Sequence, residues 1–235
     1  MAISHELAGF PGPDRGPALA ATQPPAPSDG WVCRSIECLV AIVALVALSP
    51  VLLLVGLAVK VTSRGPVIFA QERLGRDRRP FRVYKFRTMV DGNDDAIHRA
   101  YVQRLLTEEV PPDGGNPGVY KLASDPRVTR LGRFLRRTSL DELPQFVNVL
   151  RGDMAIVGPR PCLGYEAERY PDWADVRFRV RPGITGLWQV RGRSTIDMRT
   201  GLEIDAEYVR TRTHLLDLAI AARTVWVLLA RSVAR

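Results

Sequence analysis

The sequence is poor in the residues on which many catalytic and structural sites depend. It has three histidines in 235 residues, none of them beside a paired ligand, so histidine-based catalysis is not expected. Its three cysteines, Cys33, Cys38 and Cys162, form no C-x-x-C pair, which argues against a zinc site and a disulfide framework and fits a reducing compartment. The motifs G-x-x-x-x-G-K-[ST], H-E-x-x-H and G-x-S-x-G are absent, as is a G-x-G-x-x-G after a strand.

Lysine is also scarce in a strongly basic chain. Only Lys60, Lys85 and Lys121 are lysines among 33 basic side chains, and the net charge is +8 with a pI near 9.9. The planar fork of arginine suits phosphate, and a basic excess suits anionic membranes or nucleic acid. Since no motif combines basic and aromatic residues in the manner of a nucleic-acid reader, a nucleic-acid partner is not expected.

The sequence does contain one long apolar run, which follows an N-terminal segment of low complexity. Residues 1–29 are rich in proline, glycine and alanine, which predicts a disordered tail. Residues 39–59 carry no charge over 21 positions. A straight helix of that length would span roughly 31 Å, about the thickness of a bilayer core. The sequence therefore predicts a membrane segment.

A proline interrupts this run near its middle. Pro50 cannot donate a hydrogen bond to the carbonyl of Val46, so a kink is expected, and the hydroxyl of Ser49 can replace the lost donor. Two arrangements remain open, a kinked single span and a re-entrant hairpin. Basic residues follow the run closely: Lys60, Arg64, Arg73, Arg76, Arg78 and Arg79. By the positive-inside tendency, the C-terminal domain is expected on the cytoplasmic side.

The remaining pattern predicts an α+β fold that is mainly helical. Strands are expected at 66–74 and 80–88, and helices at 93–109, 125–137, 142–151, 164–171 and 198–210. Gly152 should end the helix at 142–151, 111–118 should be a loop, and RPGITGLWQVRGR should be a turn and strand. The last segment, apolar on a broad face, fits either core or an interfacial membrane helix. The domains are then 1–29 (tail), 30–62 (membrane segment), 63–213 (main folded domain) and 214–235 (amphipathic helix).

Two adjacent carboxylates in TSLDELPQ form the main candidate site. If Ser139 capped the following helix, Pro144 would fall at the fifth helical position and remove a needed donor, whereas capping by Asp141 places Pro144 in the first turn. An aspartate at a helix start stays ionised beside unpaired N–H groups. Glu142 could then hold Mg²⁺, and Arg136 could neutralise phosphate charge. A capped helix with surface ion pairs is the alternative.

Two further stretches could add basic groups to this site. In GDMAIVGPRP, the flanking Pro159 and Pro161 fix the backbone and preorganise Arg160, although a structural turn with a surface arginine has the same pattern. In VYKFRTM, Lys85 and Arg87 fall on one face of a strand, which could equally face water or lipid headgroups.

Taken in order, three stretches resemble the bacterial sugar transferases: RGPVIFAQERLGRDRRPFRVYKFRTM, DPRVTRLGRFLRRTSLDELPQFVNVLRGDMAIVGPRP and RPGITGLWQVRGRS. These are monotopic polyprenyl-phosphate phosphoglycosyl transferases, and the similarity runs from about residue 31 to the C-terminus. The resemblance implies transfer of a sugar 1-phosphate from a UDP-sugar to undecaprenyl phosphate with release of UMP. The chain resembles the short form, which starts exopolysaccharide synthesis with glucose or galactose. The resemblance also implies contact with membrane lipid and with downstream glycosyltransferases.

The resemblance also assigns roles to individual residues. Asp141 would be the nucleophile that forms a covalent phosphosugar intermediate, Glu142 would bind Mg²⁺, and Arg136 would hold the diphosphate. Pro159, Arg160 and Pro161 would contribute to the nucleotide pocket, with Lys85 and Asp205 in supporting positions. The break at Ser49 and Pro50 would make the membrane segment re-entrant, with the catalytic domain on the cytoplasmic face of the bacterial inner membrane. A non-catalytic basic membrane module that docks glycan-assembly enzymes is the rival interpretation.

Overall fold

The computed structural model describes residues 30–90, 127–192 and 196–233. The predicted tail at 1–29, the helix at 93–109 and the loop at 111–118 lie outside these residues. Within them, the fold is α+β and mainly helical, as predicted, with two small two-stranded sheets.

The apolar run forms two helices, α1 (Trp31–Ala47) and α2 (Ser49–Thr62), which meet at a bend of 62°. At the break, the hydroxyl of Ser49 donates to the carbonyl of Val46 at 2.8 Å. This bond replaces the donor that Pro50 lacks, which confirms the expected local repair. Among the described residues, no single helix has the length and apolar composition needed to cross a bilayer, whereas the bent pair together meets both criteria.

A β-hairpin follows the bent pair. Strands β1 (Ile68–Leu74) and β2 (Pro80–Phe86) pair antiparallel, close to the predicted ranges, with Ile68 opposite Phe86 and Phe69 opposite Lys85. Directly opposed residues point to the same face of a sheet, so this register decides which side chains share a face.

The helices after the hairpin differ from the prediction at their ends. Helix α3 spans Arg130–Thr138, later than the predicted 125–137, because the Thr129 hydroxyl accepts from the Gly132 N–H at 2.8 Å and starts it there. A single 3₁₀ turn, Leu140–Glu142, then precedes α4 (Gln145–Arg151). Gly152 ends α4 at φ 87°, as predicted.

The second sheet is a parallel pair, β3 (Ala155–Val157) and β4 (Gly183–Thr185). Between them lie a short helix, α5 (Gly164–Ala167), and a 3₁₀ segment, Asp172–Arg179, in place of the single helix predicted at 164–171. A Cβ atom on Gly183 would overlap the backbone nitrogen of Gly158, so this close approach of two chain segments requires glycine.

The predicted strand in RPGITGLWQVRGR ends at Thr185, and the residues after it form helix α6 (Leu187–Gly192). The strand prediction was wrong there because Leu187, Trp188 and Val190 are buried on a helical period against one core cluster. Helix α7 (Met198–Thr211) confirms the prediction at 198–210.

Helix α8 (His214–Val233) combines the two alternatives left open for the last segment. Ile220 is fully buried in the same core cluster as Trp188. Leu215, Leu218 and Trp226 are exposed. One face of α8 therefore belongs to the core, and the opposite face presents apolar side chains outwards.

Candidate active site

The acidic turn lies between α3 and α4, but neither proposed cap holds it there. Ser139, at φ 60°, is left-handed and makes no side-chain cap, and the N-cap of α4 is Pro144, also without a side-chain bond. Both capping alternatives were wrong because Pro144, with its fixed φ and missing N–H, is tolerated right at the start of α4 and leaves Asp141 one turn upstream. Asp141 is buried, with 7% of its surface exposed.

Two cations face the carboxylate of Glu142. Lys85 Nζ on β2 donates to Glu142 Oε1 at 3.1 Å, and Arg160 Nη1 lies 3.9 Å from the same oxygen. Burial lowers the pKa of the Lys85 amine, while the negative charges of Glu142 and Asp141 oppose that shift. Glu142 thus lies within 4 Å of two basic groups at the wall of a pocket, and Asp141 is the next residue in the chain.

Arg87 does not share this site with Lys85. It lies just past the end of β2, is buried, and donates to the backbone carbonyl of Ser63 at 2.8 Å and to its hydroxyl at 2.9 Å. A further bond reaches the carbonyl of Pro66. Arg87 therefore ties the end of α2 to the hairpin, and the solvated-face alternative is wrong for it.

The loop of Pro159, Arg160 and Pro161 is held at all three of its carbonyl groups. The Gly183 N–H donates to Pro159 at 2.9 Å, Arg177 Nη2 to Arg160 at 2.6 Å, and Arg73 Nη1 to Pro161 at 3.1 Å. These three bonds come from three different elements. The loop is therefore fixed in place, as the flanking prolines predicted, and the Arg160 side chain is directed towards Glu142.

Asp205 lies behind this loop. Its carboxylate accepts a hydrogen bond from Arg177 Nη2 at 2.9 Å, and both side chains are almost fully buried. Burial raises the pKa of Asp205 to about 6, with the charges of Arg177 and Arg160 opposing the shift. Asp205 thus reaches the candidate site through Arg177 and the Arg160 backbone.

Arg136 lies in the last turn of α3, just before the acidic turn. Its Nε donates to the hydroxyl of Thr88 at 2.8 Å, three residues beyond Lys85. This bond joins α3 to the end of the hairpin and fixes Arg136 on the side of the acidic turn.

A narrow pocket lies among some of these groups, but Asp141, Arg136, Pro159 and Asp205 are not among its lining residues. Its lining residues are Arg73, Val83, Lys85, Glu142, Gln145, Arg160, Pro161, Gly183, Ile184 and Gln189. Of the predicted site residues, the lining set contains Lys85, Glu142, Arg160 and Pro161. Sequence reasoning missed Arg73, although the hairpin register places it on the same sheet face as Lys85. It also missed Gln189, because the sequence pattern did not predict helix α6.

The pocket suits a divalent cation that completes its coordination shell with water and substrate oxygens. Within the described part of the chain, no group of three or more His, Cys, Asp or Glu side chains could hold a metal ion. Mg²⁺ usually takes one or two carboxylates and fills its remaining positions with water and substrate phosphate oxygens. Glu142, which lines the pocket, could supply one such carboxylate.

Comparison with known proteins places this arrangement in a family. A profile described as "Bacterial sugar transferase" matches residues 28–231. The exopolysaccharide production protein ExoY of Sinorhizobium fredii is 40% identical over 206 residues, which cover 85% of this chain and 86% of that protein. The undecaprenyl-phosphate galactose phosphotransferase of Salmonella typhimurium is 41% identical over 87% of this chain and 42% of its own length.

A third relative is the UDP-glucose:undecaprenyl-phosphate glucose-1-phosphate transferase of Escherichia coli, 42% identical over 82% of this chain and 39% of its own length. The profile match includes the bent helix pair, the hairpin, the acidic turn and the proline-flanked loop. The chain therefore belongs to the bacterial sugar transferase family and is an enzyme of the phosphoglycosyl transferase type.

Proposed function

We propose that the protein transfers a sugar 1-phosphate from a UDP-sugar to undecaprenyl phosphate, releases UMP, and so starts the assembly of an exopolysaccharide or another glycan. The observation that carries this proposal is the placement of Lys85 and Arg160 around the carboxylate beside Asp141. A diphosphate donor needs cations at its phosphates and a nucleophile at its sugar-bearing phosphorus. The names of the relatives supply the donor and acceptor classes.

The reaction would follow two displacements at one phosphorus atom. A carboxylate oxygen of Asp141 attacks the sugar-bearing phosphorus, and the P–O bond to UMP breaks with its electron pair leaving on UMP. A phosphate oxygen of undecaprenyl phosphate then attacks the same phosphorus and displaces Asp141 as a free carboxylate. The product is a sugar joined to the lipid through a diphosphate, and no other reactant is required.

The cations of the pocket would stabilise the donor by exchanging partners. Lys85 and Arg160 face Glu142 in this structure, and both can turn to donor phosphate oxygens. Arg136, fixed at the end of α3, would hold the diphosphate from the side of the acidic turn. Glu142, with Asp141 beside it, would hold Mg²⁺. When bound, that ion would neutralise charge on the diphosphate.

The bent helix pair suits an enzyme with a membrane-borne acceptor. Leu53, Leu57, Leu215 and Trp226, on α2 and α8, are exposed apolar side chains. We propose that α1 and α2 form a re-entrant anchor, that α8 lies in the membrane interface, and that the catalytic domain faces the cytoplasm at the bacterial inner membrane. Downstream glycosyltransferases would then receive the lipid-linked product at the same surface.

The test is UMP release from a panel of UDP-sugars by the purified protein with Mg²⁺ and undecaprenyl phosphate. We expect one donor, glucose or galactose first, to give release that requires Mg²⁺. Asp141→Asn should reduce the rate by on the order of a thousandfold or more, as for loss of a nucleophile. Glu142→Gln should lose most of the rate, and the remaining rate should no longer depend on Mg²⁺. The control Asp172→Asn, at an exposed position, should match the wild type.

Two outcomes would contradict the proposal. Equal rates for wild type and Asp141→Asn would exclude Asp141 as nucleophile. Release from none of the UDP-sugars would favour a docking module that binds the membrane and other glycan-assembly enzymes without catalysis.

A further inference from the structure

An open apolar groove of about 500 Å³ lies beside the bend of the helix pair, on the other side of the hairpin from the polar pocket. Its volume falls in the range of roughly 300–1,000 Å³ that is common for small-ligand sites. All ten residues that line it are apolar: Leu45, Leu52, Leu53, Gly56, Leu57, Val67, Ile68, Phe86, Pro144 and Val147.

The groove and the pocket share one wall. In β2, Lys85 lines the pocket and the next residue, Phe86, lines the groove, because successive side chains of a strand point to opposite faces. Ile68, opposite Phe86 in the register, lines the groove with it. The segment between α3 and α4 repeats the division, because Glu142 lines the pocket and Pro144, at the N-cap of α4, lines the groove.

The groove is closed at its floor and open at its rim. Phe86 is buried, whereas Leu53 and Leu57 on α2 are 75% and 62% exposed. Gly56, between them, leaves the floor without a side chain, and a Cβ atom there would lie 3.6 Å from Val67 Cγ1 and 3.8 Å from Phe86 Cε1. A chain that enters from the exposed rim of α2 would therefore run over Gly56 towards the wall.

We propose that this groove binds the first isoprene units of the polyprenyl phosphate acceptor, with its phosphate passing over the shared wall to the Lys85 side. This inference rests on the proposed function and adds where the isoprenoid chain of the acceptor binds. An amphiphile with one charged end needs an apolar channel that stops beside a cationic pocket, and the two cavities lie on opposite faces of one strand. The occupant is a single chain that carries the reacting phosphate, since the groove reaches Pro144, two residues after Glu142.

The first experiment fills the groove in the full-length enzyme. Gly56→Leu places a branched side chain against Val67 and Phe86, so we expect KM for undecaprenyl phosphate to rise about tenfold relative to KM for the UDP-sugar. Gly56→Ala, which only reaches ordinary contact distance, should give a smaller increase. Leu54→Phe adds bulk to an exposed position of α2 that does not line the groove, and should keep the wild-type ratio.

Chain length supplies the discriminating readout. With geranyl phosphate as acceptor, which has two isoprene units, Gly56→Leu should again raise the acceptor KM. Changes at the phosphate site would act on every acceptor, including methyl phosphate, which has no isoprene unit. An unchanged KM ratio in Gly56→Leu, or an equal rise for methyl phosphate, would overturn the inference. Val147→Phe fills the groove from the α4 side and should reproduce the effect if Gly56→Leu does not fold.

A binding measurement separates this inference from the proposed reaction. A polyprenyl phosphate with a photoreactive group in its first isoprene unit should label peptides that contain Gly56 or Val147, and undecaprenyl phosphate should compete. Competition by phosphatidylglycerol at equal concentration would show an ordinary lipid groove and overturn the inference. A wild-type protein that transfers no sugar would refute the proposed function, while the labelling pattern would still decide what the groove binds.

Discussion

Two ion pairs flank Arg160, and they differ in their access to solvent. The side chains of Lys85 and Glu142 are 23% and 12% exposed and face the pocket. Those of Arg177 and Asp205 are 3% and 2% exposed and lie behind the loop. The first pair contacts the guanidinium side of Arg160, and the second binds its backbone carbonyl. The backbone of Arg160 is thus held by a buried ion pair, and its side chain faces an ion pair that solvent can reach.

The difference explains how a basic pocket can be both specific and adaptable. A fully buried pair keeps its partners, because a lone charge in the interior is strongly unfavourable. A pair at a pocket wall can exchange its partner for another ion, since phosphate and water reach it. We therefore expect changes on the buried side to act on stability first, and changes on the pocket side to act on donor binding and its pH dependence.

The largest effect should come from breaking the buried pair. Arg177→Met removes the cation that is hydrogen-bonded to Asp205 and a donor to the Arg160 carbonyl, so we expect a loss of about 3–5 kcal/mol in the free energy of unfolding at neutral pH. Burial already raises the pKa of Asp205 to about 6, against 3.8 for a free side chain. A raised native pKa gives stability that is present at low pH and is lost as pH rises through that value.

The gap between Arg177→Met and the wild type should therefore narrow as pH falls from about 7.5 towards 5, where Asp205 takes up a proton. Chemical denaturation of both proteins at several pH values measures it. A gap of the same size across this range would show that Asp205 stays ionised without Arg177, and would contradict the assignment.

A smaller loss of stability is expected at Gly201 of α7, which packs closely against the core. A Cβ atom on Gly201 would overlap the indole ring of Trp188, which is itself buried in the main core cluster. Gly201→Ala should destabilise the protein by about 1–3 kcal/mol, since the ring must move in a packed environment. Gly164→Ala is the matched control, because nothing lies within 4 Å of its Cβ position. Equal unfolding midpoints for the two variants would contradict the packing argument.

Local sequence preferences predicted most of the helices and strands, but not where the helices near the site begin and end. The kink at Pro50, the hairpin and the stop at Gly152 follow from single residues whose backbone preferences are strong. Helix α6 was missed because the glycine-rich RPGITG suggested a turn and strand, while burial of Trp188 against α7 decides the conformation. Tertiary packing overrides local preference there.

For the candidate site, the roles of the residues came from the family resemblance, because spacing alone was a poor guide. Spacing alone suggested a cap at Asp141, and the structure replaces that cap with a 3₁₀ turn in front of Pro144. The contact between Lys85 and Glu142 joins residues 57 positions apart, so no local pattern could predict it. Nor could any pattern reveal that Asp205 pairs with Arg177, since the link is a buried bond between distant elements.

On the pocket side, the sharpest test is the alkaline limit of activity. Because burial lowers the pKa of Lys85, its ammonium group should lose its proton below 10.5, and kcat/KM for the UDP-sugar should fall as pH rises through that lowered pKa. Lys85→Arg keeps a positive charge at every accessible pH. We expect it to be about tenfold less active near neutral pH because the larger guanidinium fits less well, but to lose the alkaline fall.

The control is Lys60→Arg, which changes an exposed lysine at the end of α2 and should keep the wild-type pH profile. The measurement is kcat/KM for the donor from about pH 6.5 to 10.5. An alkaline fall at the same pH in wild type and Lys85→Arg would assign it to another group.

The smallest effect is expected at an ion pair that resembles neither of those around Arg160. Arg78 in the hairpin turn lies against Asp175, and their side chains are 43% and 52% exposed. Solvent and salt screen such a pair, so Asp175→Asn should change the free energy of unfolding by less than about 1 kcal/mol, and still less at high salt. The Arg78 guanidinium also stacks over Phe178, 4.8 Å from the ring centre, and this contact survives the substitution. A loss approaching that of Arg177→Met would mean that burial does not separate the pairs, and that the 3₁₀ segment carrying both Asp175 and Arg177 unfolds as one unit.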